Sequence, residues 1–153
     1  MRTKPYPSKI QSGIYESNTL PTTKNFNREL FRVKAFWPFD FFPDELVIQE
    51  KTISVIRREF LFSYVETIPV KDVGRIVLTH SPFFDSITII GKNPAHTLEI
   101  KMLPKGKAKV AKEIIDGLLI EDAGGVDVPY WLYPQTRRDV LRQASRQSQF
   151  ARK

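Results

Sequence analysis

The chain has 153 residues, 41% of them hydrophobic, and a formal net charge of +7 at pH 7. This length leaves room for one ordinary domain with extensions and argues against two full domains, and the hydrophobic content is sufficient for a core. Cysteine is absent, which excludes disulfide bonds, thiolate chemistry and cysteine-ligated metals.

The positive charge is concentrated at the two ends of the chain. Residues 1–40 contain seven Lys or Arg against three Asp or Glu, residues 41–121 contain eleven of each, and residues 122–153 contain six against three. Basic ends on a neutral body are typical of contact with an anionic membrane surface, a nucleic acid or an acidic protein patch, and solvated tails are the alternative. With no long apolar run and no secretion signal, we expect a cytoplasmic protein, and a membrane-associated position on the cytoplasmic face stays open.

The first 28 residues predict an extended arm. They are rich in Ser, Thr, Asn, Pro and Lys and have no apolar period, so they cannot bury enough surface to offset their ordering entropy. An arm of this kind, when ordered, lies along a partner. The arm and the aromatic residues after it make up the first unit, residues 1–40.

An aromatic segment at residues 29–43 follows the arm. We interpret it as a strand and a plug that closes one end of the core; the alternative is an aromatic patch for a membrane interface or a protein partner. Pro38 and Pro43 argue against a continuous central strand. The candidate contact residues are Phe36, Trp37 and Phe39.

From Asp44 onwards, β-branched and aromatic runs alternate with short polar turns, which predicts consecutive antiparallel strands. Turns are expected at residues 50–51, 81–82 and 91–94. The six predicted strands are residues 46–49, 52–62, 64–70, 76–80, 86–90 and 97–102.

Residues 104–119 predict a long amphipathic helix after the strands. Its apolar residues recur at three- and four-residue spacing and so share one face: Val110, Ala111, Ile114, Ile115, Leu118 and Leu119. Burying that stripe is worth roughly 10 kcal/mol gross. We therefore expect the helix to dock on the sheet.

This body resembles a known family. The segments FPDELVIQEKTISVIRREFLFSYVETIPVKDVGRIVL, FFDSITIIG, HTLEIKML and AKEIIDGLL are similar to a bacterial pleckstrin-homology-like (PH-like) domain, and ETIPVKDV at residues 66–73 resembles its IPL-x-D-I turn. The resemblance covers residues 41–121. It implies a mainly β fold, a partly open barrel of two antiparallel sheets capped by a C-terminal helix. Residues 1–40 and 122–153 are extended N- and C-terminal arms outside that pattern.

The C-terminal unit, residues 122–153, begins with a helix stop and linker at residues 122–125. An aromatic stretch follows, and its Tyr130, Trp131 and Tyr133 either pack back on the core or contact a partner. Thr136 and Asp139 have the spacing of a capping box and predict a short basic helix over residues 137–149.

Catalytic chemistry is not indicated. His80 and His96 are the only histidines, and neither has a partner at metal-ligand spacing. Phosphate-binding glycine motifs do not occur. We expect a non-enzymatic protein with no catalytic, cofactor-binding or metal residues.

Basic residues supply candidate anion contacts at two places. The first group surrounds the start of the predicted helix, where positive charge opposes the helix dipole and a bound phosphate or carboxylate would relieve it; a solvated turn is the alternative. The second group lies on the last helix. The residues are Lys105, Lys107 and Lys109, followed by Arg137, Arg138, Arg142 and Arg146.

A third basic group, Lys51 with Arg57 and Arg58, lies where lipid-binding relatives hold inositol phosphates. The joint at residues 50–51 is too short to form such a cradle. Consecutive Arg57 and Arg58 also point to opposite faces of the sheet. Specific phosphoinositide recognition is therefore weakly supported.

Three functions remain in order of preference. The first is a PH-like binding or scaffold module, an accessory subunit fastened by its terminal arms to other protein subunits of a larger assembly. The second is peripheral binding to an anionic membrane through the aromatic residues and the basic ends. The third is nucleic-acid or ribosome contact through the arginines of the last helix.

Overall fold

The computed structural model of the chain describes residues 27–36 and 41–151. In these residues seven strands form two antiparallel sheets of four and three strands, and two helices follow them. The mainly β, antiparallel class predicted from the sequence is confirmed. Of the predicted arm at residues 1–28, residues 1–26 lie outside the described residues, and so do Trp37 and Phe39.

The four-stranded sheet has the order β1-β2-β3-β4. Residues 50–51 join β2 to β3, and Asn27 braces that turn by accepting a hydrogen bond from the backbone N–H of Lys51 at 2.9 Å. The sheet begins with β1 at Glu29, well before residue 41, where the sequence placed the start of the body. Its strands are Glu29–Lys34, Glu45–Gln49, Thr52–Arg58 and Ser63–Pro69.

The three-stranded sheet has the order β5-β6-β7 and follows a single 3₁₀ turn at Val70–Asp72. Met102 has a positive φ of 57° where the β6–β7 register shifts. Its carbonyl accepts a hydrogen bond from the N–H of Phe36 at 2.7 Å, which ties the β1–β2 loop to the second sheet. The strands are Val73–His80, Phe84–Gly91 and Thr97–Pro104.

The core lies between the inner faces of the two sheets and is covered by α1, Lys107–Asp122. Alternate residues of β6 are buried, as expected for a strand with one wet face. Ile114, Ile115 and Leu118 are buried on α1. The prediction that this helix docks through its apolar stripe is confirmed.

The second helix, α2, spans Pro134–Ala151 and packs on α1. At their crossing the backbones nearly touch, because a Cβ built on Gly117 would lie 2.3 Å from the carbonyl oxygen of Leu141. Leu141 and Val128 are both buried in the core. The C-terminal segment, which the sequence treated as an extension, therefore contributes to the body. Among the described helices, none is long and apolar enough to span a membrane.

Candidate functional site

Three exposed aromatic residues lie in the connection between α1 and α2, and we call them the aromatic corner: Tyr130, Trp131 and Tyr133. Their exposed fractions are 68%, 71% and 79%. The rings of Tyr130 and Trp131 meet edge to face with centroids 5.6 Å apart. The sequence left open whether this stretch packs back on the core or contacts a partner; the three rings are exposed rather than packed on the core, while neighbouring Val128 packs inward.

The backbone of the aromatic corner is held from one side by Arg28. Its guanidinium donates to the carbonyl of Leu132 at 3.0 Å and to the carbonyl of Tyr130. The same group forms a 2.7 Å ion pair with Glu50 at the β2–β3 turn. The corner is thus tied to the four-stranded sheet by a charge-assisted network.

Arg137 holds the same connection from the other side. It donates to the carbonyl of Val128 and, in a forked contact of 2.9 and 2.7 Å, to both carboxylate oxygens of Glu121. Its Nε also lies 3.2 Å from Glu50. With its side chain only 7% exposed, Arg137 is committed to internal carboxylates rather than to the external anion that the sequence suggested.

The other arginines of α2 are also paired. Arg142 and Arg146 both donate to Glu113 of α1, at 2.9 and 3.1 Å. Burial alone would raise the pKa of Glu113, but the hydrogen bonds from Arg146 and Arg142 outweigh it and hold that pKa below its ordinary value. Arg138 lies 3.4 Å from Asp139. The contacts with Glu113 fasten α2 to α1, and the Arg138 contact lies within α2.

Lys105, just before α1, contacts a carboxylate that belongs to the chain itself. Buried Asp85 accepts hydrogen bonds from the N–H of Gly106, the N-cap of α1, at 2.8 Å and from Lys105 at 3.3 Å. The expected anion at this helix end is therefore supplied internally. Lys107 and Lys109 are exposed.

Asp85 makes the protein's stability pH-dependent at the acid end. A hydrogen bond from His80 outweighs burial, and with Gly106 and Lys105 it lowers the pKa of Asp85 from 3.8 to about 2. The carboxylate stabilises the fold above pH 3.8, and that contribution is lost as the pH falls through about 2. We expect urea unfolding to show a loss of about 2 kcal/mol over this window.

The variant Asp85→Asn should lack that acid-dependent step. Asp122→Asn, which changes an exposed carboxylate at the end of α1, should keep it. An unchanged pH profile in Asp85→Asn would show that the step comes from another carboxylate.

The two histidines occupy surface positions. The side chain of His80 is 60% exposed, and its Nδ1 lies 2.8 Å from Asp85. The carboxylate of Asp85 also accepts hydrogen bonds from Lys105 and Gly106. His96 is exposed in the β6–β7 turn. Among the described residues, no group of three His, Asp or Glu is placed to bind a metal ion.

Arg57 and Arg58 are bound by carboxylates. Arg57 contacts Asp44 and Glu66, both at 3.0 Å, and Arg58 lies 2.7 Å from buried Glu45. The short β2–β3 turn is as expected from the sequence.

The sequence missed a second set of exposed apolar residues. Residues 60–62, interpreted as the end of a strand, instead form the β3–β4 turn, with Phe60, Leu61 and Phe62 between 72% and 79% exposed. The charged run of Arg57, Arg58 and Glu59 could have indicated that the strand ends before Phe60, because it interrupts the apolar strand pattern. Phe36, a predicted contact residue, is 41% exposed, and its ring lies 5.2 Å from that of Phe84.

Comparison with protein-family models and with curated proteins finds no match for this chain.

Proposed function

We propose that this protein is a non-enzymatic, PH-like binding module that joins a larger protein assembly through the aromatic corner. Support for the PH-like assignment is the order of elements: a four-stranded antiparallel sheet, a three-stranded antiparallel sheet and a helix packed over them. This order agrees with the arrangement that the resemblance implies. The assignment describes a scaffold, so the function is argued from the surface.

The observation that supports binding is the contrast between exposed rings and a fixed backbone. Tyr130, Trp131 and Tyr133 are largely exposed, yet the connection that bears them is held by Arg28 and Arg137. A backbone held in place before binding loses little entropy when a partner covers the rings it bears. Tyrosine and tryptophan are the residues that most often dominate binding energy at protein interfaces.

A protein partner fits this surface better than an anionic lipid or a nucleic acid. The arginines next to the corner are neutralised by Glu50 and Glu121, so the surface has little excess positive charge. Attraction to phosphate requires such an excess.

The test is purification of the full-length chain from its native source with Tyr130, Trp131 and Tyr133 all changed to alanine. We expect a subunit that co-purifies at fixed stoichiometry with the parent chain to be lost. Phe150→Ala, at a residue of α2 that is 77% exposed, should retain it. Substitutions at such exposed positions change stability by only about 0.5 kcal/mol, so loss of the fold would not explain the result.

Two outcomes would contradict the proposal. The triple variant could retain the same subunit as the parent chain, which would place the interface elsewhere. Alternatively, the parent chain could float with anionic vesicles while the triple variant does not, which would make the corner a membrane contact.

A further inference from the structure

A second apolar surface lies at the end of the four-stranded sheet where β1 turns into β2 and β3 turns into β4. The rings of Phe42 and Phe60 meet there with centroids 5.9 Å apart. We call this surface the apolar end, and its exposed residues are Phe41, Phe42, Phe60, Leu61, Phe62, Tyr64 and Val65.

Turn geometry does not account for these residues. Glu59 and Phe62 exchange backbone hydrogen bonds of 2.7 and 3.3 Å, which closes a tight hairpin with Phe60 and Leu61 at its centre. Neither central residue has a positive φ, and turns of that backbone type accept most residues without requiring an apolar one. Phe60 and Leu61 are 79% and 74% exposed, so core packing does not account for them either.

The strand that leaves this turn is an open edge. Among the described residues β4 pairs with β3 alone. Edge strands are normally protected by lysine, an internal proline or a bulge; β4 has no lysine, and its only proline is its last residue. Its one charged residue, Glu66, is bound by Arg57 at 3.0 Å.

We propose that two copies of this chain associate through the apolar end, with their β4 strands antiparallel about a two-fold axis at Ser63. Because Phe62 directs both backbone hydrogen bonds toward Glu59, the polar backbone groups of Ser63 point away from β3. Ser63 can therefore pair with its own copy. The same register places Phe62 opposite Tyr64 of the second copy.

Charge and area favour a second copy over a membrane. The nearby cations Arg57 and Arg58 are bound by Asp44, Glu66 and Glu45, so the surroundings are close to neutral and suit contact with an identical surface. The exposed surface of the seven apolar side chains amounts to roughly 800 Å². This is about the area that each partner buries in a stable complex.

The absence of cysteine from the chain permits a direct test with single cysteines in the full-length protein. Directly paired residues have Cα atoms about 5.5 Å apart, a distance that suits a disulfide. Ser63→Cys should form a covalent dimer under mild oxidation. Phe150→Cys, exposed on α2 and away from the apolar end, should form no covalent dimer at the same concentration.

Sedimentation measures the association without a crosslink. The parent chain should be dimeric at ~100 µM, where a dimer with a micromolar Kd is formed, and Phe60→Ser combined with Phe62→Ser should weaken association at least ~10-fold. A monomeric parent chain, or crosslinking at residue 150 as fast as at residue 63, overturns the proposal. So does a monomer that binds neutral or anionic vesicles through these residues.

Discussion

Replacing Arg137 with alanine should lower the free energy of unfolding by about 3 kcal/mol, because removing one partner of a buried ion pair leaves the other charges uncompensated. Glu121 loses the forked contact of 2.9 and 2.7 Å, and Glu50 loses one of its two cations among the described residues and keeps Arg28. The carbonyl of Val128 loses its donor as well. Urea unfolding at neutral pH measures this loss.

The neighbouring arginine provides a matched control. Arg138 is 31% exposed, and its partner Asp139 is 61% exposed, so Arg138→Ala should change stability by less than about 1 kcal/mol. Arg137→Lys should recover only part of the loss, since an ammonium cannot reproduce the fork to Glu121. Equal effects of Arg137→Ala and Arg138→Ala would mean that the buried network does not stabilise the fold.

The contrast between these two arginines shows what the sequence could and could not predict. Most strands, the β2–β3 turn and the docking of α1 followed from local patterns, because period and turn chemistry are properties of neighbouring residues. The partners of Arg137 are Glu50, Glu121 and Val128. Glu50 is distant in sequence, so no local pattern could show that Arg137 faces inward.

The same limit, that a local pattern does not show contacts between distant residues, applies to the candidate sites. Tyr130, Trp131 and Tyr133 were named as candidate contact residues because three aromatic residues between prolines are unusual, and they are exposed. The arginines that hold their backbone were not foreseen in that role. Phe60 and Leu61 were missed because an apolar pair at a hairpin tip has the same composition as a strand. Asp85 was missed as the anion at the start of α1, since 21 residues separate it from Gly106.

Replacing Gly117 with alanine should destabilise the protein by about 2 kcal/mol, although alanine is the better helix former by about 1 kcal/mol. The new Cβ would lie 2.3 Å from the carbonyl oxygen of Leu141 and 2.7 Å from its carbonyl carbon. These are backbone atoms, so α2 must move as a unit, and overpacking of this kind costs about 3 kcal/mol at the upper end of its range. That movement would also stretch the contacts of Arg142 and Arg146 with Glu113.

Hydrogen exchange locates the effect, because amides of α2 should lose protection in Gly117→Ala while those of β6 keep theirs. Gly124→Ala is the control: Gly124 has a φ of +75° and no atom within 4 Å of a built Cβ, so it should cost about 1 kcal/mol in backbone strain alone. In that control the protection of α2 should be unchanged. If Gly117→Ala were as stable as the parent chain, the two helices would have to lie farther apart, and Leu141 could not be packed against α1 as tightly as the structure places it.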